Sequence, residues 1–188
     1  MPAPWSTVST KPLGDYRVFR LRGDQKISPR TGLPHDFIVI DCVNWVNVIA
    51  LTPSRELVMI EQYRHGSNTV ELEVPGGIMD TTDISPIATG ERELREETGY
   101  EGTGSELLGQ VYSNPAIMSN TTFTVLIHDC ELRHSLSLDP GEDITVRLMP
   151  LVEIPDLVRS GKIKHSLVVV ALYHYHLRST GEVAASLP

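Results

Sequence analysis

The sequence predicts an α+β fold, and three observations predict it. Seven runs read as strands, only two stretches read as helices, and the two kinds do not alternate as a doubly wound parallel sheet would require. With 188 residues, 40% of them hydrophobic and 21% charged, the chain is long enough to bury one substantial core and too short for two ordinary domains.

In chain order, Tyr16 to Leu21 alternates polar and apolar residues, and Phe37 to Leu51 is rich in Val and Ile, with the polar Ser28 to Gly32 between them reading as a hairpin turn. Further strand-like runs follow at Glu56 to Tyr63, Thr69 to Val74, Leu107 to Tyr112, Thr122 to Ile127 and Ile144 to Leu148, separated by Gly, Pro, Asn and Asp clusters. The first helix opens with Ser85 as N-cap and Pro86 at the first helical position, and stops at Gly99. The second covers roughly Ser166 to Leu177.

Composition narrows the partners. The 16 Lys and Arg against 24 Asp and Glu give a formal charge of −8, which repels a phosphate polymer, and no basic run offsets it, so nucleic acid is not an expected partner. Cys42 and Cys130 stand far apart, without the short spacing of a redox or zinc site, which suits a reduced, cytoplasmic protein. No stretch approaches the ~20 apolar residues of a spanning helix and the N-terminus lacks a leader pattern, so neither a membrane nor secretion is expected. His165, His174 and His176 have no partner ligands at metal spacing and read as packed or surface residues.

The first helix carries the chemistry. At about 100° per residue, Glu96 and Glu97 fall within about 60° on either side of Glu93, so three carboxylates share one face while Leu94 and Ile87 share a neighbouring apolar one. An acidic helix face is usually a solvated surface. Here, however, like charges at Glu93 and Glu97 repel at i,i+4 by ~0.2 to 0.5 kcal/mol, a penalty that a bound cation turns into affinity. Oxygen ligands without His or Cys suit Mg2+ rather than zinc. Arg92 alone flanks the carboxylates and is placed to pair with Glu96.

Gly76-Gly77 followed by Arg92-Glu93-Leu94-Arg95-Glu96-Glu97-Thr98-Gly99-Tyr100 closely resembles the signature of the Nudix hydrolases. The helical half matches at every fixed position. The spacer from Gly77 to Arg92 is one residue longer than usual, and Asp83 stands where the family's Glu is expected. The resemblance implies an α/β/α sandwich with a mixed β-sheet. It also implies binding of Mg2+ or Mn2+ by Glu93, Glu96, Glu97 and the main-chain carbonyl of Gly76, with Arg92 orienting the carboxylates. Val58 to Tyr100 looks like the ADP-ribose and nucleoside diphosphate sugar branch, with Gln62-Tyr63-Arg64 and then Glu73 to Gly77. On that likeness Arg64 and Glu73 are substrate-binding candidates, and Pro115, fifteen residues beyond Tyr100, is a weaker substrate-class signal.

The implied reaction cleaves the pyrophosphate of a nucleoside diphosphate sugar into a nucleoside monophosphate and a sugar phosphate. A dinucleotide or triphosphate substrate, or a non-catalytic sensor of nucleotide sugars, is the alternative. The general base is sought in the acidic loop Asp139 to Asp143, where Glu142 is favoured and Asp139 and Asp143 stay open, or on the helix at Glu93 or Glu96. Trp45, inside an apolar run, reads first as a core residue and second as a stacking surface for a nucleobase. The branch commonly forms homodimers through N-terminal strands, which implies a division into residues 1–35, extended and dimer-forming, and 36–188, the hydrolase domain.

Overall fold

The computed structural model describes residues Met1 to Gly181, so the last seven residues of the 36–188 span lie outside the described residues. The described residues form two compact units, residues 1–44 with 112–121, and residues 45–111 with 122–181.

The first unit is an antiparallel sheet of β1 (Ser6–Asp15), β2 (Phe19–Ile27) and β3 (Pro34–Cys42), in that order. The turn at 28–33 is where the sequence places it, closed by Gly32 N–H donating to the Ser28 carbonyl. β1 is absent from the sequence reading because its ten positions are almost all exposed and carry no apolar alternation. The central strand instead buries Asp24, whose carboxylate accepts from Thr10 Oγ1 at 2.9 Å and Arg22 Nε at 3.1 Å.

The second unit holds β4 (Trp45–Ala50), β5 (Glu56–Arg64), β6 (Thr69–Glu73), β7 (Gly76–Ile78), β8 (Tyr100–Tyr112), β9 (Thr121–Leu132) and β10 (Ile144–Pro150). These make a sheet ordered β7-β4-β9-β8 and another ordered β10-β5-β6. The first is mixed, since β4 runs parallel to β9 and antiparallel to β7. The helices are α1 (Pro86–Thr98), α2 (Ile154–Arg159) and α3 (Ser166–Thr180).

The apolar run Phe37 to Leu51 is therefore two strands, β3 and β4. Its second half is continuous rather than alternating because both faces of β4 are covered. Val46, Val48 and Ala50 join Leu94 of α1, Val58, Val125 and Ile127 in one core layer. Ile49 and Leu51 join Leu57, Met59, Leu126 and the α3 residues Val168, Ala171 and Leu172 in the other. The result is a layered α/β/α arrangement, helix on sheet on helix. α2 escapes the sequence reading because it is a six-residue helix carrying Pro155 at its start.

Candidate active site

Local chemistry fixes α1 at both ends. Ser85 is extended, its Oγ accepting from Ala88 N–H at 3.1 Å, and Pro86 supplies a preset φ and no orphan donor. Gly99 ends the helix in the left-handed region at φ 73°, and an added Cβ there would strike the His134 carbonyl. Midway, Gly90 lets the helix lie close to the sheet, since a Cβ would stand 3.3 Å from Val48 and Val125. Leu94, 1% exposed, is the apolar anchor expected of it; burying such a side chain contributes ~1.5 to 3 kcal/mol.

Against this anchor the carboxylates turn toward β7 and not into open solvent. Glu97 is 3% exposed and its Oε2 accepts the Gly76 N–H at 2.8 Å. Glu93 is also buried, and its carboxylate occupies the space that a Cβ on Gly77 would fill. At Gly76 a Cβ would collide with the Val46 carbonyl. Gly77 is thus a steric requirement of the buried Glu93, and Gly76 of the close approach of the β4 backbone. Burial pushes Glu97 up to about 8, against the pull of the Gly76 N–H, and the charges of Glu93 and Glu142 add to the rise. Burial likewise pushes Glu93 up to about 7, against the opposing effect of Arg92.

Arg92 is the hub of the cluster. Its Nη1 lies 3.0 Å from both Glu93 Oε1 and Glu96 Oε2. Its Nη2 donates to Asp83 Oδ2 at 2.9 Å and to the Ile78 carbonyl at 3.1 Å, with Asp80 at 3.7 Å. Asp83 has no role in the sequence reading beyond marking a departure from the motif. In the structure it also accepts from Thr89 Oγ1 and the Asp80 N–H, both at 2.9 Å. The contact spans nine positions, from the loop before α1 to the helix itself. The Arg92 bond, helped by the Asp80 N–H and Thr89, holds the Asp83 carboxyl at about 2, although burial opposes it.

Arg64 and Glu73, separate candidates in the sequence, come together as a bidentate pair, with Nε to Oε1 and Nη2 to Oε2 both at 2.8 Å. Glu73 is 2% exposed, so the pair fixes the guanidinium. The Glu73 bond raises Arg64 above its ordinary pKa against the cost of burial, and the charges of Glu97 and Glu142 act in the same direction. Glu142 is half-buried in its loop, with Oε2 accepting the Asp139 N–H at 2.9 Å. Trp45 alternates with Val46 and so shares the strand face of Asn47, whose Nδ2 donates to the Leu167 carbonyl of α3, opposite the face that meets α1. Pro115 belongs to the other unit, in the turn closed by Met118 N–H on the Asn114 carbonyl.

The family model for the NUDIX domain matches residues 44–168. The chain belongs to the Nudix family. Over 178 residues this Nudix chain is 26% identical to the ADP-ribose pyrophosphatase of Mycobacterium tuberculosis, covering 94% of this chain and 86% of that protein. Over 173 residues it is 27% identical to the methanol dehydrogenase activator of Bacillus methanolicus, covering 92% of each. A solved structure described as an ADP compounds hydrolase superposes with a TM-score of 0.83 at 20% identity, covering 97% of this chain and 99% of that one, a likeness of fold.

Nudix hydrolases work with a divalent metal, and the donor chemistry here fits one. Glu93, Glu96 and Glu97 offer oxygen ligands alone, and burial disfavours the ionised forms of Glu93 and Glu97 although Arg92 and Arg64 oppose it, a cost that a bound cation would offset. Among the described residues no three side chains already stand in a ligating arrangement. The geometry explains why: Arg92 draws Glu93 and Glu96 to itself, and the Gly76 N–H holds Glu97.

Proposed function

We propose that this Nudix hydrolase cleaves the diphosphate of ADP-ribose or another nucleoside diphosphate sugar to a nucleoside monophosphate and a sugar phosphate. The metal is Mg2+, with Mn2+ as a substitute, held by Glu93, Glu96, Glu97 and the Gly76 carbonyl. The observation that carries this reading is the pair of buried glutamates, Glu93 and Glu97, packed against a glycine pair and within the field of Glu142. The full-length likeness to an ADP-ribose pyrophosphatase supports the substrate class.

When bound, the metal neutralises phosphoryl oxygens and acidifies water. The chain's own groups do the rest. Glu142 accepts the proton of the attacking water as its oxygen bonds to phosphorus and the bridging P–O bond breaks, the bridging oxygen leaving with the other phosphate. Arg64, held rigid by Glu73, is the phosphate contact, and a guanidinium so fixed loses little freedom on binding. Arg92 orients Glu93 and Glu96. The decisive experiment offers ADP-ribose, ADP-glucose, GDP-mannose, UDP-glucose, dinucleotides and nucleoside triphosphates with Mg2+ or Mn2+, and reads phosphomonoester release. Preference for triphosphates, or near-normal turnover by Glu97→Gln, overturns the reading.

The same proposal takes the protein to be a homodimer formed through its N-terminal strands. In support, β1 and β3 expose Val8, Leu13, Phe37 and Ile38, apolar side chains that a second copy would cover. Sedimentation as a monomer at micromolar concentration would refute it. Among the described residues no helix is long and apolar enough to cross a membrane; a cytoplasmic location stays part of the proposal.

A further inference from the structure

The face of β5 and β6 that carries Arg64 and Glu73 also carries a second polar group that the proposed chemistry leaves unused. Gln62 stands opposite Glu71, one same-face rung from the Arg64–Thr69 pair and one from the Ile60–Glu73 pair. Strand alternation therefore puts Gln62 and Glu71 on the face of Arg64 and Glu73. Glu71 is 4% exposed, and its carboxylate is held below the usual range, chiefly by the Thr69 hydroxyl with Lys164 helping and burial opposing, so it stays ionised.

The distribution of donors around that carboxylate is uneven. The Thr69 hydroxyl, the Ser67 hydroxyl at 3.3 Å and Lys164 Nζ at 3.5 Å all converge on Oε1. Gln62 Oε1, across the strand pair, is buried and without a partner among the described residues. Natural proteins seldom leave such an acceptor unpaired, because it forfeits the hydrogen bond that water gave it in the unfolded chain. Lys164 spans the gap from the segment before α3, with its side chain 55% exposed and donors to spare.

We propose that Gln62, Glu71 and Lys164 form a subsite for the sugar half of a nucleoside diphosphate sugar, Glu71 Oε2 and Gln62 Oε1 accepting from its hydroxyls and Lys164 Nζ donating to them. Two acceptors on one strand face, with a cationic donor reaching them from the segment before α3, match a vicinal diol, which offers both kinds of group. The placement suits the order of the substrate: carboxylates of α1, then Arg64 for the diphosphate, then this row for the sugar. The inference rests on the nucleoside diphosphate sugar reading of the site.

The test compares ADP-ribose with the β-methyl ester of ADP, which keeps both phosphates and the nucleoside but has no sugar. Lys164→Met, at an exposed position, and Glu71→Gln, which keeps an acceptor for Thr69, are the variants. Their affinity for each compound is measured by calorimetry on metal-free protein, and KM and kcat with Mg2+. The ratio of ADP-ribose affinity to methyl-ADP affinity should fall about tenfold in each variant, the worth of one charge-assisted hydrogen bond, with KM rising while kcat stays within about twofold. If both compounds weaken alike, with a lower melting temperature, Glu71 and Lys164 only tie α3 to the hairpin and the subsite is overturned. Unchanged ratios overturn it as well. Should the unaltered protein bind and cleave no nucleoside diphosphate sugar, the reading of the whole site falls with it; variants without effect on an active enzyme sink the subsite alone.

Discussion

Replacing Asp83 by Asn removes one negative charge and leaves the shape of the loop intact. The carboxyl is held at about 2 against an ordinary 3.8, chiefly by Arg92. At ~1.4 kcal/mol per unit that depression corresponds to about 2 kcal/mol of folding stability at neutral pH, an estimate that stands because the side chain is only 9% exposed. A depressed acid stabilises the fold above its unfolded pKa and loses that contribution as pH falls through its folded one. The variant should therefore be about 2 kcal/mol less stable than the parent at pH 7, with roughly half of the difference gone by pH 3. Urea unfolding of parent and variant at both pH values measures it, and on a protein of this size the neutral-pH loss should also lower the melting temperature by roughly 5 °C. A difference below about 0.5 kcal/mol at pH 7, the size of an ordinary surface change, or one that is the same at both pH values, would refute the claim that Asp83 is an ionised clamp on Arg92.

Three further outcomes are expected. Gly77→Ala puts a Cβ 2.6 Å from the Glu93 carboxyl carbon and should weaken Mg2+ affinity at least tenfold by titration calorimetry, with the melting temperature changed less than by core substitutions; unchanged affinity would separate Glu93 from the metal. Glu142→Gln should cut kcat by a factor on the order of a hundred, the usual worth of positioned proton transfer, and an unaffected rate moves the base to Glu93 or Glu96. Metal-free protein should lose stability as pH rises from about 4.5 to about 8, because Glu97 takes up its proton more readily folded than unfolded, and Mg2+ should reverse that loss; thermal melts across the range with and without metal test both signs.

What the sequence made legible follows from how local each determinant is. α1 was readable to the residue, since Ser85, Pro86 and Gly99 act within one turn of the backbone they stop or start. The carboxylate register was equally visible, being a property of helical spacing. The contact between Asp83 and Arg92 was hidden behind two departures from the familiar pattern, a shorter acid and a longer spacer, and shows only in the folded loop before α1. Arg64 and Glu73 were each legible as candidates, but their pairing depends on the β5–β6 hairpin register, in which Arg64 faces Thr69 and reaches past Gln62 to Glu73. Lys164 carried no signal at all: its partner lies on a strand more than ninety positions earlier, and only the packing of α3 against the sheet brings them together.

The balance of charge around Arg92 explains why one arginine needs so many acids. Glu93 and Glu96 share one end of its guanidinium, while Asp83 and the Ile78 carbonyl take the other. Were Arg92 bound by Glu93 and Glu96 alone, their turning toward a divalent cation would leave it half-buried without a counter-ion, at a cost of several kcal/mol. Asp83, ionised down to about 2, keeps a counter-charge on Arg92 whichever way the glutamates face. If Glu93 and Glu96 ligate a metal as proposed, they could leave the arginine without stranding a cation, and the acid that departs from the family's usual Glu would be what permits it.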